Sequence, residues 1–158
     1  MGYIDAHGWH KPTGFEFEDE VVSVFKKYSE KMGTLRYFKE VSGTDLDTKQ
    51  GTDLFVDGIP VDITSNFSEK RKMITLEDEV DVNGTAIKFG IRLGNGHITF
   101  KTPVMVVGID ASASFLNSYM DIIISEFAAK VDQIMDIINQ RFYDYCDDND
   151  IIPEEVVY

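Results

Sequence analysis

Asp53 and Asp62 flank the dipeptide Asp57-Gly58 in the run Gly51-Thr52-Asp53-Leu54-Phe55-Val56-Asp57-Gly58-Ile59-Pro60-Val61-Asp62-Ile63-Thr64. Asp-Gly between apolar runs is a strong tight-turn signal. A hairpin closing there brings Asp53 close to Asp62. Side chains alternate along a strand, so Asp62 and Thr64 point one way, while Val61 and Ile63 point the other way and read as core. Two neighbouring carboxylates repel each other, which makes a divalent ion a natural third partner. Hard oxygen ligands select Mg²⁺, Ca²⁺ or Mn²⁺. The plainer alternative is that Gly51 and Asp53 shape a turn and Asp62 sits on an exposed sheet face.

The elements that must position these residues can be traced along the chain. A first helix is predicted over about Phe15 to Met32, with Thr13 as N-cap and Glu16 as its capping-box partner. Acidic Glu16, Glu18, Asp19 and Glu20 crowd its start, Lys26, Lys27 and Lys31 its end, and Gly33 is a natural stop. Phe17, Val21, Val24, Phe25 and Tyr28 form its buried face. Strands are predicted over Leu35 to Val41, Asp53 to Val56 and Ile59 to Asn66. Further strands are predicted over Met73 to Leu76, Thr85 to Leu93, His97 to Lys101 and Val104 to Ile109, with turns at Val82-Asn83-Gly84 and Asn95-Gly96. Val104 to Ile109 is apolar throughout, as in a strand covered on both faces. One long helix is predicted from about Ser112 to Tyr145. Its stripe comprises Leu116, Met120, Ile123, Ile124, Phe127, Val131, Ile134, Ile138, Phe142 and Tyr145. The expected fold class is α/β (α+β): an N-terminal helix, a mixed central sheet meander and a long C-terminal helix packed on the sheet. One domain spans 1–158, with an N-terminal arm over 1–12 and an acidic tail over 147–158.

The run around the two aspartates resembles the PD-(D/E)XK nuclease superfamily, whose core is a helix, a strand meander, a helix and a further strand. Gly51-Thr52-Asp53 resembles the first strand motif, and Asp62-Ile63-Thr64 the second, with Thr64 where the family has lysine. The helical Phe-Glu would be Phe17-Glu18, with Glu16 and Glu20 as alternatives. The resemblance covers roughly residues 13 to 66, extending in its fullest form to the strand at Val104 to Ile109. It implies a restriction-endonuclease-like core, with Glu18, Asp53, Asp62 and Thr64 as catalytic residues and Asp53 and Asp62 holding Mg²⁺ or Mn²⁺. The metal would activate water and stabilise charge developing on phosphorus, and a lysine would orient that water and help neutralise the transition state. Threonine carries no charge, so either another lysine reaches the site (Lys49, Lys70, Lys72 and Lys88 are the candidates) or the fold persists without catalysis.

Composition limits the partners. The chain has 158 residues, 43% hydrophobic and 27% charged, which is a globular composition long enough for a core without staples. Net charge is −13, which argues against coating nucleic acid through a broad basic surface. The clusters Lys70-Arg71-Lys72 and Lys26, Lys27, Lys31 leave room for a small basic groove, or are solvated surface. The single cysteine, Cys146, reads as a packing thiol and fits a reducing compartment. No apolar run reaches the roughly 20 residues that span a bilayer, and the start does not read as a signal peptide. These features point to a cytoplasmic protein with no membrane partner. His7 and His10 lack a third ligand and read as packing or capping groups, and His97 as an ordinary strand residue.

Three functions follow as expectations. The first is a metal-dependent nuclease acting on DNA, of the kind carried by phages and mobile elements. The second is a catalytically silent member of that fold, an acidic protein that binds a basic protein partner as an inhibitor. The third is an oligomeric scaffold, a homodimer formed through the wide stripe of the C-terminal helix.

Overall fold

The computed structural model describes residues 3–5, 8–10, 13–32, 38–40, 52–82, 85–94, 96 and 99–153. A short hairpin, β1 (Tyr3–Asp5) with β2 (Gly8–His10), precedes helix α1 (Thr13–Met32). Then come β3 (Phe38–Glu40), β4 (Leu54–Val56), β5 (Ile59–Thr64) and a one-turn helix α2 (Phe67–Lys70), which runs into a 3₁₀ turn at Arg71–Met73. Strands β6 (Ile74–Val82), β7 (Thr85–Gly94) and β8 (Thr99–Gly108) follow, and helices α3 (Ala113–Ala129) and α4 (Val131–Asp148) close the chain.

Six strands form one mixed sheet in the order β3-β4-β5-β8-β7-β6. Every neighbouring pair is antiparallel except β5 with β8. Parallel neighbours need a long crossover. Here α2 and the β6–β7 hairpin fill that interval, rather than a long helix.

The β4–β5 turn follows from its sequence. Asp57 and Gly58 both have positive φ, 51° and 84°, as a two-residue hairpin of right-twisted strands requires. Asn139 on α4 fastens the turn, donating through Nδ2 to Asp57 Oδ2 at 2.8 Å. Pro60, which cannot donate to a ladder, lies just before Val61, the first β5 residue paired with β8.

The sheet has two unlike faces. Leu54, Val56, Ile59, Val61, Ile63, Ile87, Phe89, Ile91, Met105 and Val107 share the helix-covered face and one core with α1, α3 and α4. Phe17 of α1 meets Phe127 of α3 edge-on, with ring centroids 5.8 Å apart. Tyr28 donates to Asp132 of α4 at 2.7 Å. The opposite face carries Asp62 beside Val106 and Gly90, and Thr64 beside Gly108 and Lys88. Phe67, Phe100, Val104 and Val106 are buried there outside the main core.

The observed class is the α+β arrangement expected, with the N-terminal helix and the C-terminal helices on a mixed sheet. Several boundaries differ. The single long helix is two, broken at Lys130, whose ψ of 16° departs from the helix. The apolar stripe crosses the break without interruption, so periodicity alone could not show it. It also includes Met135 and Cys146, both buried. The helix runs to Asp148, so the acidic tail begins inside it. His97 to Lys101 and Val104 to Ile109 merge into β8, which passes through Pro103. Met73 to Leu76 is the start of a longer strand, and β1–β2 occupies part of the expected arm. Gly33, Lys49, Gly51, Asn83, Gly84, His7 and His97 lie outside the described residues, as does the side chain of Thr13. No helix among the described residues is long and apolar enough to cross a membrane.

Candidate active site

The hairpin register places Leu54 opposite Val61. Just beyond that pair the Asp53 carboxyl lies beside that of Asp62, close enough to hydrogen-bond. Asp53 N–H donates to the Val61 carbonyl at 2.9 Å, and its own carboxylate Oδ2 accepts the Ile63 N–H at 2.8 Å. A side chain thus takes a backbone position in the ladder and fixes the carboxyl beside Asp62. Burial, and then the Asp62 charge, push the Asp53 carboxyl up to about 8, with the Glu18 charge adding to the effect. The Ile63 N–H pulls the other way and does not prevail. When protonated, Asp53 can donate to Asp62.

Asp62 is 3% exposed, in a strand whose every residue is buried. The plainer expectation, an exposed sheet face, does not hold for it. In fact both faces of β5 are covered, and two cations meet the Asp62 carboxylate. The Lys70 ammonium contacts Oδ2, and Arg92 Nη1 lies 3.4 Å from the same oxygen. A buried carboxylate without partners would be costly, and the two cations offset that cost.

Lys70 reaches Asp62 because the start of α2 is held from three sides. Asn66 caps it, accepting from Glu69 N–H. Asp110, just past β8, accepts from Ser68 N–H and Ser68 Oγ–H, each at 2.7 Å. Phe67 N–H donates to the Ile109 carbonyl at 3.2 Å. Arg92 comes from β7. Its guanidinium carbon lies 5.5 Å from the centre of the Phe100 ring, which braces it from β8.

The remaining site candidates divide clearly. Glu18 is half-buried on α1, and its charge bears on Asp53, whereas Glu20 is exposed. Thr64 Oγ1 accepts the Asn66 N–H at 3.0 Å, so this oxygen shapes the turn into α2. Of the four lysines considered, Lys70 is at the carboxylates, Lys72 is exposed, Lys88 pairs with Asp110 at 3.0 Å, and Lys49 lies outside the described residues. Arg71 and Glu77 pair at 2.9 Å beside this group. Sequence reasoning missed Arg92. Its one signal is a cation alternating with Phe89 and Ile91 on a buried strand.

The donor set suits a hard cation. Mg²⁺ is commonly held by one or two carboxylates, with water or substrate phosphate completing its shell. Asp53 and Asp62 supply two, and the proton that Asp53 retains to about 8 is what a cation would displace. Among the described residues no group of three or more His, Cys, Asp or Glu side chains is arranged to hold a metal ion. No family model matches the chain, and neither the curated proteins nor the solved structures include a significant match to it.

Proposed function

We propose that the protein is a divalent-metal-dependent nuclease acting on DNA, with Asp53 and Asp62 as the metal ligands. One observation carries the reading: two adjoining carboxyls at the open end of a tight hairpin, with a lysine ammonium at one of them. Lys70 supplies from α2 the charge that Thr64 lacks at its own place on β5. The bound metal would activate water and stabilise charge on a phosphoryl group. This chain's residues do the rest. Asp53 and Asp62 hold the metal, Lys70 and Arg92 concentrate positive charge beside it, and Glu18 adds negative charge at Asp53. On a chain of net charge −13, this local concentration of cations suits a phosphate group.

The test is cleavage of single- and double-stranded DNA with Mg²⁺ or Mn²⁺. Cleavage should disappear with chelator and in Asp53→Asn, Asp62→Asn and Lys70→Ala. Full activity in both aspartate variants would remove the site.

A second reading is favoured by the ion pairs themselves. Asp62 already has two cationic partners, as a carboxylate in a purely structural role would. The protein would then be a silent acidic member of such a fold that binds a basic protein partner. Salt-sensitive binding to such a partner, without cleavage under any metal condition, would support that reading.

A further inference from the structure

The two cations on Asp62 are not equivalent. The Arg92 side chain is 6% exposed and fixed over Phe100. The Lys70 side chain is 26% exposed, at the last residue of a one-turn helix, on a stem with four rotatable bonds. Both point at the same oxygen, Asp62 Oδ2. A divalent ion arriving there would meet an ammonium, a guanidinium and its own charge around one atom. Like charges so close repel strongly where water is scarce. Arg92 has little room to retreat, whereas Lys70 has solvent on one side.

We propose that Lys70 occupies the cation position at Asp62 in the resting protein and is displaced from it when a divalent ion binds. This rests on the reading of Asp53 and Asp62 as metal ligands. The lysine is then a built-in competitor of the metal, and its released ammonium stays tethered beside the site, available to a phosphate oxygen. The protein would bind metal more weakly than its carboxylates allow, and substrate phosphate, by accepting the displaced ammonium, would tighten metal binding.

The experiment is a titration of the full chain with Mn²⁺ alone, with free Mn²⁺ followed by electron paramagnetic resonance. Lys70→Met keeps the apolar stem and removes the charge, and Lys72→Met removes an equal charge from an exposed neighbour. Lys70→Met should bind Mn²⁺ about tenfold more tightly than the unaltered protein, by the size of charge interactions in partly buried sites, and Lys72→Met should bind as the unaltered protein does. Equal or weaker binding by Lys70→Met, with the unaltered protein binding normally, overturns the competition and leaves the metal site standing. Equal tightening by Lys72→Met reduces the effect to net charge and also overturns it. Failure of every form to bind millimolar Mn²⁺ removes the metal reading and this inference with it. A second measurement needs no variant. Amine-reactive labelling of Lys70 in the unaltered protein should rise on adding Mg²⁺ while that of Lys72 stays constant, and unchanged Lys70 labelling under saturating Mg²⁺ counts against displacement.

Discussion

Asp53 Oδ2 accepts the Ile63 N–H at 2.8 Å, so a titrating carboxyl is a member of the β4–β5 ladder. Its protonation is therefore coupled to folding. The folded carboxyl keeps its proton up to about 8, whereas a free aspartate loses it near about 3.9. Between those limits the folded chain binds more protons than the unfolded one, so this group's contribution to stability is full below about pH 4 and is lost as pH rises through about 8. In chelator, the unaltered protein should lose several degrees of melting temperature relative to Asp53→Asn between about pH 5 and about pH 8. Parallel pH profiles for the two proteins would show that Asp53 does not titrate in this way.

Asp62→Ala should be costly in a different manner. It leaves Arg92 buried without the carboxylate it faces at 3.4 Å and removes the partner of Lys70. Breaking a buried pair from one side typically costs about 3–5 kcal/mol. Lys70→Met removes only the more exposed cation and should cost about 1 kcal/mol or less. Urea unfolding of the two variants checks the order, and a smaller loss for Asp62→Ala would contradict the burial of this pair.

Gly108 lies against Thr64 across the parallel β5–β8 pair. A Cβ there would stand 1.9 Å from the Thr64 carbonyl oxygen and 2.8 Å from Thr64 Cγ2. Gly108→Ala must part the two strands beside the site, at a cost on the order of 1–3 kcal/mol or more. Gly58→Ala meets nothing nearby but keeps a φ of 84°, so it should cost about 1–2 kcal/mol through backbone strain alone. The informative comparison is of metal binding: Gly108→Ala should weaken it and Gly58→Ala, if folded, should do so less.

Mn²⁺ should raise the melting temperature of the unaltered protein, since a ligand of the folded state alone stabilises by about 2.7 kcal/mol at a hundred times its Kd. Asp53→Asn and Asp62→Asn should lose most of that gain. An equal rise in all three proteins would place Mn²⁺ elsewhere on this acidic surface.

Much of the acidic half of the site was legible because it is local. Asp57-Gly58 demands positive φ at both residues, and that turn sets Asp53 against Asp62. The cationic half was less so. Lys70 was one of four lysines that fitted equally well, and only the anchoring of α2 by Asn66 and Asp110 singles it out. Arg92 enters through the register of a strand two places across the sheet, which no local pattern encodes. Most of β6 was missed because Glu77, Asp78, Glu79 and Asp81 mask it. Such charges suit a strand at a sheet edge, where they discourage pairing with other chains. The helix break at Lys130 is hidden because Phe127, Val131 and Ile134 keep the stripe in phase.

The order in which the chain supplies these groups also bears on how the molecule forms. Asp53, Asp62 and Lys70 lie on neighbouring stretches joined by a two-residue turn, so little loop-closure entropy separates them. Arg92 arrives only once β8 has docked on β5 and β7 on β8. Hairpins close in microseconds, whereas non-local pairing is slower. During folding the carboxylates would therefore meet early and wait for the guanidinium, and the Arg92–Phe100 contact would report the moment at which the sheet is complete.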